Sequence, residues 1–225
     1  MQPSPHATAA EGRLSPTARE ALSSIGRRRR FDSGVTLLVE GEGSDAFYLV
    51  LAGQVKMSRL TPAGKNLILA LFGPGDVFGI ANALGGEVCG SSMQAMVPSE
   101  CLEVRRRDLY DLFTRQPQLV PEVLPALTRH LMECKNCLVE ASCSRVETRF
   151  AQLFLKLAET MGQRGEQGEL IPLPLSRQEL ADLTGTTIET AIRVMSRWGK
   201  DGVIETRRDG FLLTDRRALE KLSWE

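Results

Sequence analysis

The sequence predicts an α+β protein with a β-rich N-terminal half, a long central helix and a C-terminal helix-turn-helix followed by a hairpin. Residues 35 to 72 hold short strand-like runs separated by glycine and proline turns, a spacing typical of a β-sandwich or barrel. Residues 126 to 161 contain no glycine or proline, which favours one long helix or two helices laid end to end. Near the C-terminus, two helix-capping patterns precede an Asp-Gly hairpin signal.

Composition excludes several classes of protein. The chain of 225 residues is long enough for two domains, and its 42% hydrophobic and 25% charged residues are ordinary for a globular protein. Its formal net charge is zero, so a nucleic-acid-binding surface would have to be a local patch. No apolar run approaches the roughly 20 residues of a membrane span and no signal pattern begins the chain, which predicts a cytoplasmic protein with no membrane partner. With two histidines, no nucleophile motif and no phosphate loop, an enzyme is not expected.

The N-terminal half is expected to form a β-roll. Residues 1–13 have no hydrophobic periodicity and are predicted to be a mobile tail. Four arginines at residues 27–30 enter a strand and are interpreted as a solvated surface. The strands are predicted at residues 35–39, 46–51, 54–60, 66–72, 93–97 and 101–104, with a short helix at residues 107–114.

The first helix of the helix-turn-helix is predicted from its two ends. Ser176 stands three residues before Glu179, the capping-box arrangement, so the helix should begin near Arg177. It should end at Gly185, which tolerates the positive φ of a helix-ending turn. Its apolar stripe is Leu180, Ala181 and Leu183.

The second helix follows a short turn. Thr186 and Glu189 repeat the capping box, and the helix should run to about Gly199. Its apolar side chains are Ile192, Val194, Met195 and Trp198. Two short helices joined by a glycine-containing turn match the motif whose second helix enters the major groove of duplex DNA. Residues 203–206 and 211–214 then flank Arg207-Arg208-Asp209-Gly210, which predicts a hairpin, the wing.

The second helix should present Thr187, Glu189, Thr190 and Arg193 outward. A carboxylate accepts from cytosine N4 and a guanidinium donates to guanine O6 and N7, so Glu189 and Arg193 are predicted to read bases. The alternative is an ordinary surface ion pair at i, i+4, with Glu189 also serving as a cap. The residues expected to contact phosphates are Arg177, Arg207 and Arg208.

The central segment carries a dimer signal. Five apolar or small side chains alternate in spacings of four and three, the seam of a coiled coil: Leu127, Leu131, Cys134, Leu138 and Ala141. Residues 142–144 are the expected break, because the later apolar set does not continue this phase. A homodimer suits an inverted-repeat DNA site.

Three features carry a resemblance: the glycine turns of the β-roll, the long central helix and the helix-turn-helix. Their motifs are Gly41-Glu42-Gly43, Gly53-Gln54-Val55, Gly75-Asp76-Val77-Phe78-Gly79, Ser176-Arg177-Gln178-Glu179-Leu180-Ala181 and Glu189-Thr190-Ala191-Ile192-Arg193. Over nearly its whole length the chain resembles the CRP/FNR family of bacterial transcription regulators. The resemblance implies a cyclic-nucleotide-binding-type sensor domain at residues 14–118, a dimerisation helix at 119–144 and a winged helix-turn-helix at 145–225.

The same resemblance implies partners and base preference. Family members with glutamate and arginine at the places of Glu189 and Arg193 read a TGA core in each half-site, and RNA polymerase is an expected partner. Ile188 is apolar where cyclic-AMP receptors carry arginine, so the outer base preference should resemble that of the FNR-like branch. Ile192 departs from the serine usual there.

Cyclic AMP is not expected as the effector. Cyclic-AMP receptors place a glutamate after Phe-Gly and an Arg-Ser pair about ten residues later, which hold the ribose and the phosphate. Here Ile80 follows Phe78-Gly79, and the later stretch reads Cys89-Gly90-Ser91-Ser92. A cyclic phosphate without a guanidinium would lose its strongest contact. Another small molecule in the β-roll remains the alternative effector.

The cysteines predict an iron–sulfur cluster. Cys134, Cys137 and Cys143 have the C-x2-C-x5-C spacing of three cluster ligands in FNR-like oxygen sensors, although there the triplet lies in an N-terminal extension. A [4Fe–4S] cluster needs four ligands. Cys101 is the predicted fourth ligand, because it lies one residue from the family's position, and the alternatives are Cys89 and His130.

Helix geometry leaves further alternatives. At about 100° per residue, Cys143 lies on the opposite side of an unbroken helix from Cys134, so convergence requires the helix to open near residues 139–143. His130, Cys134 and Cys137 share one stripe, which suits another transition metal or haem. A redox disulfide between subunits, or purely structural cysteines, are the remaining interpretations.

Overall fold

The computed structural model describes residues 14–62, 64, 66–86, 88–124 and 145–223. The chain divides into two compact units, residues 1–134 and 135–225. The predicted mobile tail lies outside the described residues, and so do the predicted coiled-coil seam and Cys134, Cys137, Cys143 and His130. The predicted α+β class is confirmed.

In its described residues the first unit combines eight strands with three short helices, a 3-10 turn and a helical segment that begins at residue 120. Its elements are α1 (Pro16–Ile25), β1 (Arg27–Phe31), β2 (Thr36–Leu38), β3 (Ala46–Ala52), β4 (Val55–Leu60), β5 (Asn66–Phe72), β6 (Val77–Phe78), α2 (Ile80–Gly85), β7 (Ser92–Ala95), β8 (Ser99–Arg105) and α3 (Arg106–Arg115). A 3-10 turn, Pro117–Leu119, follows, and residues 120–124 are helical.

The strands form two antiparallel four-stranded sheets, ordered β1-β8-β3-β6 and β2-β7-β4-β5. One apolar cluster lies between the sheets and includes Tyr48, Phe72, Phe78 and Cys101. A second cluster covers the other face of the first sheet, where side chains such as Leu102 pack against α1 and α3. Successive strand residues point to opposite faces, so neighbours on β8 belong to different clusters.

The predicted strands of this unit all occur, and the bounds of β5 agree with the prediction. The sequence interpretation missed α1, α2 and β6. The sequence does contain a signal for α1, because a serine followed by a proline is typical of a helix start. In the structure the Ser15 hydroxyl accepts a hydrogen bond from the backbone N–H of Ala18, and Pro16 is the first residue of the helix. The arginines of β1 are exposed as expected, and Arg28 and Arg30 both pair with Glu100 on β8.

The second unit consists of four helices and one four-stranded sheet in its described part. Its elements are α4 (Val146–Met161), β9 (Gln163–Gly165), β10 (Gly168–Ile171), α5 (Arg177–Thr184), α6 (Ile188–Lys200), β11 (Ile204–Arg207), β12 (Gly210–Leu213) and α7 (Arg216–Leu222). The sheet order is β11-β12-β10-β9, so the predicted wing hairpin β11-β12 extends into a larger sheet. Strands β9 and β10 were not predicted, because each has at most four residues.

An aromatic cluster holds this unit together. The ring centroid of Trp198 on α6 lies 6.2 Å from that of Phe150 and 6.3 Å from that of Phe154, both on α4. Phe154 also contacts Phe211 of β12, with centroids 5.1 Å apart. All four side chains are at most 2% exposed. The three edge-on contacts are the geometry that aromatic rings prefer, and they join α6 and the wing to α4.

The Trp198→Ala variant should lose about 3–5 kcal/mol of unfolding free energy, because a large buried side chain leaves a cavity between α4 and α6. Urea unfolding followed by circular dichroism measures this difference. The Trp198→Phe variant, which keeps a ring in contact with Phe150 and Phe154, should lose less. A loss for Trp198→Ala no larger than that of a surface substitution, about 0.5 kcal/mol, would contradict this role.

Candidate nucleic-acid interface

The first helix of the helix-turn-helix begins and ends where the sequence predicts. The hydroxyl of Ser176 accepts from the Glu179 backbone N–H at 3.1 Å, and a Glu179 carboxylate oxygen accepts from the Ser176 N–H at 3.1 Å. This reciprocal pair is a capping box. At the other end Gly185 has φ 64°, the left-handed conformation that glycine adopts without strain.

The predicted cap of the second helix was wrong by one residue. The backbone N–H of Thr186 donates to the Ala181 carbonyl, so Thr186 still belongs to the turn that closes α5. Thr187 caps α6 instead, because its hydroxyl accepts from the Thr190 backbone N–H. Helix α6 therefore begins at Ile188, and its first turn carries Glu189.

The buried side of α6 differs from the prediction at one position. The buried side chains are Ala191, Val194, Met195 and Trp198. This set has the spacing i, i+3, i+4 and i+7 of a single helical face. Ala191 thus occupies the place that the sequence interpretation gave to Ile192, and Ile192 is 47% exposed. The solvent-facing surface of α6 consequently contains isoleucine as well as charged residues.

Glu189 and Arg193 lie on this exposed surface, as predicted. The pKa of the Glu189 carboxyl lies below its ordinary value, because its own backbone N–H and the Thr187 hydroxyl both donate to it. No ion pair between Glu189 and Arg193 occurs in the described residues, so the alternative of an i, i+4 surface pair is not what the structure contains. Thr187 is exposed and Thr190 is half-buried, with their hydroxyl oxygens 3.2 Å apart.

The three arginines expected at phosphates have different surroundings. The Arg177 guanidinium donates to the Thr206 hydroxyl of β11 at 2.9 Å, and partial burial lowers its pKa. Arg207 donates to Glu205 at 3.0 Å. Arg208 is exposed in the two-residue turn of the wing, since Arg207 pairs with Gly210 in the strand register. Arg208 is therefore the wing arginine most open to a polyanion.

The wing depends on a glycine at its second strand. A Cβ atom on Gly210 would lie 1.9 Å from the Ile171 carbonyl oxygen of β10, and the φ of Gly210 is 151°. The Asp-Gly signal therefore located the hairpin correctly. The predicted segment 207–210 contains the turn residues Arg208 and Asp209, and Arg207 and Gly210 at its ends belong to the paired strands.

Two side chains of the first turns of α4 hold both helices of the motif. Glu147 forms an ion pair with Arg197 of α6, and the pKa of Arg197 is raised by that hydrogen bond. The Arg149 Nε donates to the Thr184 carbonyl at the end of α5 at 2.8 Å. Sequence reasoning missed these contacts, because their partners lie 50 and 35 residues farther along the chain.

The positions implied for binding a cyclic nucleotide carry other side chains in the described part of the β-roll. Ile80, at the place implied for the ribose-binding glutamate, is 5% exposed and packs in the cluster beneath α1 and α3. The hydroxyl of Ser92 accepts from the Glu40 backbone N–H at 3.0 Å. Arg106, which approaches α2, donates to the Ala83 carbonyl. Residues 79–92 contain no arginine or lysine, so this segment does not fit cyclic AMP.

The two described cysteines are both enclosed in the first unit. Cys101 is 0% exposed and Cys89 is 2% exposed, and both side chains lie in the cluster between the two sheets. Burial, followed by the nearby Glu100 charge, raises the pKa of the Cys101 thiol to about 12, and burial also raises that of Cys89. The side chain of Cys101 points away from the helix-covered face on which Leu102 lies. The assignment of Cys101 as the fourth cluster ligand stays a prediction.

We expect Cys89 and Cys101 to resist N-ethylmaleimide in the native protein at about pH 8, because alkylation requires an accessible thiolate. Mass spectrometry of proteolytic fragments measures modification at each cysteine. The control is the same reaction in guanidinium chloride, in which both thiols should react. Modification of native Cys101 at the rate of the unfolded chain would show that the thiol is not enclosed between the sheets.

Within the described residues, no group of three or more histidine, cysteine, aspartate or glutamate side chains is arranged to hold a metal ion. The described helices also include none that is both long and apolar enough to cross a membrane.

Known proteins resemble both units of the chain. Residues 28–116 match the cyclic nucleotide-binding domain, and residues 148–222 match the Crp-like helix-turn-helix domain. A cyclic AMP receptor protein of Thermus thermophilus is 32% identical over 192 residues, which is 85% of each chain. A CRP-like cAMP-activated global transcriptional regulator of Mycobacterium tuberculosis is 26% identical over 208 residues, 92% of this chain and 93% of the relative. The crystal structure of a CRP-family transcriptional regulator, also from Thermus thermophilus, has a TM-score of 0.76 at 25% identity, covering 88% of this chain and 97% of that one.

Proposed function

Because the chain belongs to the CRP/FNR family of transcription regulators, we propose that it binds, as a homodimer, an inverted repeat with a TGA core in each half-site. The observation that carries this proposal is the exposed face of α6, on which Glu189 and Arg193 stand one turn apart without pairing to each other. A two-fold dimer presents this face twice, which matches the symmetry of an inverted repeat. RNA polymerase is the further partner that membership of the family implies.

In this proposal, different residues read the bases and bind the phosphates. Glu189 and Arg193 read base edges, since a carboxylate accepts from cytosine and a guanidinium donates in a fork to guanine. The first turn of α6 adds Thr187, Ile188 and Thr190. Phosphate contacts come from Arg177 beside the wing strand β11, and from Arg207 and Arg208 of the wing.

The Arg193→Ala variant should bind the TGA repeat about 1–3 kcal/mol more weakly and should accept other bases at the guanine position. The reason is that a bidentate contact to guanine is lost while the remaining contacts persist. Fluorescence anisotropy with a set of single-base operator variants measures both effects.

Arg208→Ala is the matched control, because it removes an arginine expected at phosphate. It should weaken binding to all operators by a similar factor and reduce the salt slope by about one charge. If Arg193→Ala also weakened binding uniformly on every operator, Arg193 would be reassigned to phosphate.

For the signal, we propose a sulfur-ligated site formed by Cys134, Cys137 and Cys143. The C-x2-C-x5-C spacing supports an iron–sulfur cluster, with Cys101 as the proposed fourth ligand and Cys89 or His130 as the alternatives. Such a cluster, when bound, would supply sensitivity to oxygen and nitric oxide. The three cysteines and His130 lie in the segment proposed as the dimerisation helix, residues 119–144, and α4 begins directly after it.

The contacts of α4 offer a route from this segment to DNA. A change in the direction of the chain at residue 145 would be transmitted to α6 through the Glu147–Arg197 pair and to α5 through the Arg149–Thr184 contact. The aromatic packing of Phe150 against Trp198 makes α4 and α6 move together. The domains of this proposal are the sensor, residues 14–118, the dimerisation helix, 119–144, and the DNA-binding domain, 145–225.

Protein purified without oxygen should contain iron and acid-labile sulfide in matching amounts, with a visible absorption band that bleaches in air. The Cys137→Ser variant should lose the iron, the sulfide and the oxygen dependence of DNA binding. The Cys89→Ala variant, which removes a cysteine enclosed between the sheets, should keep all three. Colourless, iron-free wild-type protein that still binds the TGA repeat would contradict the cluster and leave the DNA-binding function intact.

The second candidate is a receptor for a small molecule in the β-roll, which the match of residues 28–116 to the cyclic nucleotide-binding domain favours. The buried Ile80 and the absence of arginine in residues 79–92 argue against cyclic AMP itself. Under this candidate the Cys137→Ser variant regulates normally. Titration with cyclic AMP, followed by thermal unfolding, should then produce no shift in Tm.

A further inference from the structure

Two large apolar side chains stand exposed on the DNA-facing side of α6. Ile188 is 37% exposed and Ile192 is 47% exposed, and they lie one helical turn apart. Within residues 145–223, Ile188 and Ile192 are the large hydrophobic side chains that are at least 37% exposed. The buried stripe of α6 is complete without them, so neither side chain is needed in the core of this unit.

The two isoleucines share the exposed side of the second helix of a helix-turn-helix with charged residues. Ile192 is next to Arg193 in the chain, Ile188 is next to Glu189, and Lys200 lies farther along the same exposed side. The second helix of this motif is the one that enters the major groove. Apolar side chains beside charged ones suit that groove, where base edges offer hydrogen-bonding groups and one apolar group, the C5-methyl of thymine.

We propose that Ile192, with Ile188, packs against thymine C5-methyl groups and thereby gives each half-site a preference for thymine beside the bases read by Glu189 and Arg193. This inference rests on the proposed DNA-binding function. Side chains one turn apart on a helix are separated by about 5–6 Å, and successive bases of one strand rise by about 3.4 Å. The two isoleucines therefore reach bases one or two steps apart.

Uracil in place of thymine isolates this contact. Deoxyuridine keeps the base pair and the O4 acceptor and lacks only the C5-methyl group, so a change in affinity reports the methyl contact. The operator is first obtained by selection of full-length wild-type protein on random DNA. Each thymine of one half-site is then replaced by deoxyuridine, and the Kd is measured for wild type, Ile192→Ala and Ile188→Ala.

The expected result is a loss of about fourfold in wild-type affinity at one or two thymines, the factor that corresponds to burial of one methyl group. At the thymine contacted by Ile192, the same uracil substitution should leave the Kd of Ile192→Ala unchanged. Leu60→Ala is the control, because Leu60 is 62% exposed on β4 of the other unit. It should respond to uracil as wild type does.

Two results would overturn the inference. If uracil has no effect on wild-type binding to a selected TGA repeat, the isoleucines do not contact thymine and the proposed regulator still stands. An equal response of wild type and Ile192→Ala at every thymine assigns the methyl contacts to other residues. If the selection returns no TGA inverted repeat, the proposed function and this inference fail together.

Discussion

The packing of Trp198 against Phe150 and Phe154 is the interaction on which the second unit depends. A helix of thirteen residues has little stability alone, so α6 depends on burying one face against α4, α5 and β11. That burial also fixes which residues remain outside. Ala191, Val194 and Met195 complete the inner face, and Glu189, Ile192 and Arg193 are left on the outer one. Stability thus comes from one side of this helix, and the proposed DNA recognition from the opposite side.

Contacts from the first turns of α4 define the angle between the packed helices. Aromatic contacts hold two helices together but tolerate small rotations, whereas a hydrogen bond from Arg149 to a fixed backbone carbonyl and the Glu147–Arg197 pair define the angle. Exposed ion pairs contribute little to stability, about 0–1 kcal/mol. The Glu147–Arg197 pair and the Arg149 hydrogen bond matter for geometry, because they join the start of α4 to both helices of the DNA-binding motif.

In the first unit, the alternation of side chains along β8 decides which residue lies in which apolar cluster. Cys101 points between the sheets and Leu102 points toward α1 and α3. A one-residue shift would exchange these environments. Cys101 is therefore a small core residue, and burial raises the pKa of its thiol. A cysteine at position 102 would have faced α1 and α3.

Local chemistry made much of this protein predictable. Capping side chains, turn glycines and the two hydrophobic periods located α5, α6, the wing and most strands, because these signals act within a few residues. The resemblance to a family rested on the same short motifs. The exposed positions of Glu189, Arg193 and Arg208 also follow from helical and hairpin geometry alone.

The features that only the tertiary structure decided depend on contacts between residues far apart in the chain. Ile192 and Ala191 are both apolar, and the sequence interpretation put Ile192 inside, whereas the fold buries Ala191 and leaves Ile192 exposed. Strand β10 pairs with β12, which lies some forty residues later, and β9 in turn pairs with β10. The contacts of Glu147 and Arg149, and the enclosure of Cys101, likewise arise between distant segments. The sequence by itself thus determined the family and the elements with strong local signals, and tertiary packing decided which side chains face the core and which face solvent, because burial is a property of the assembled fold.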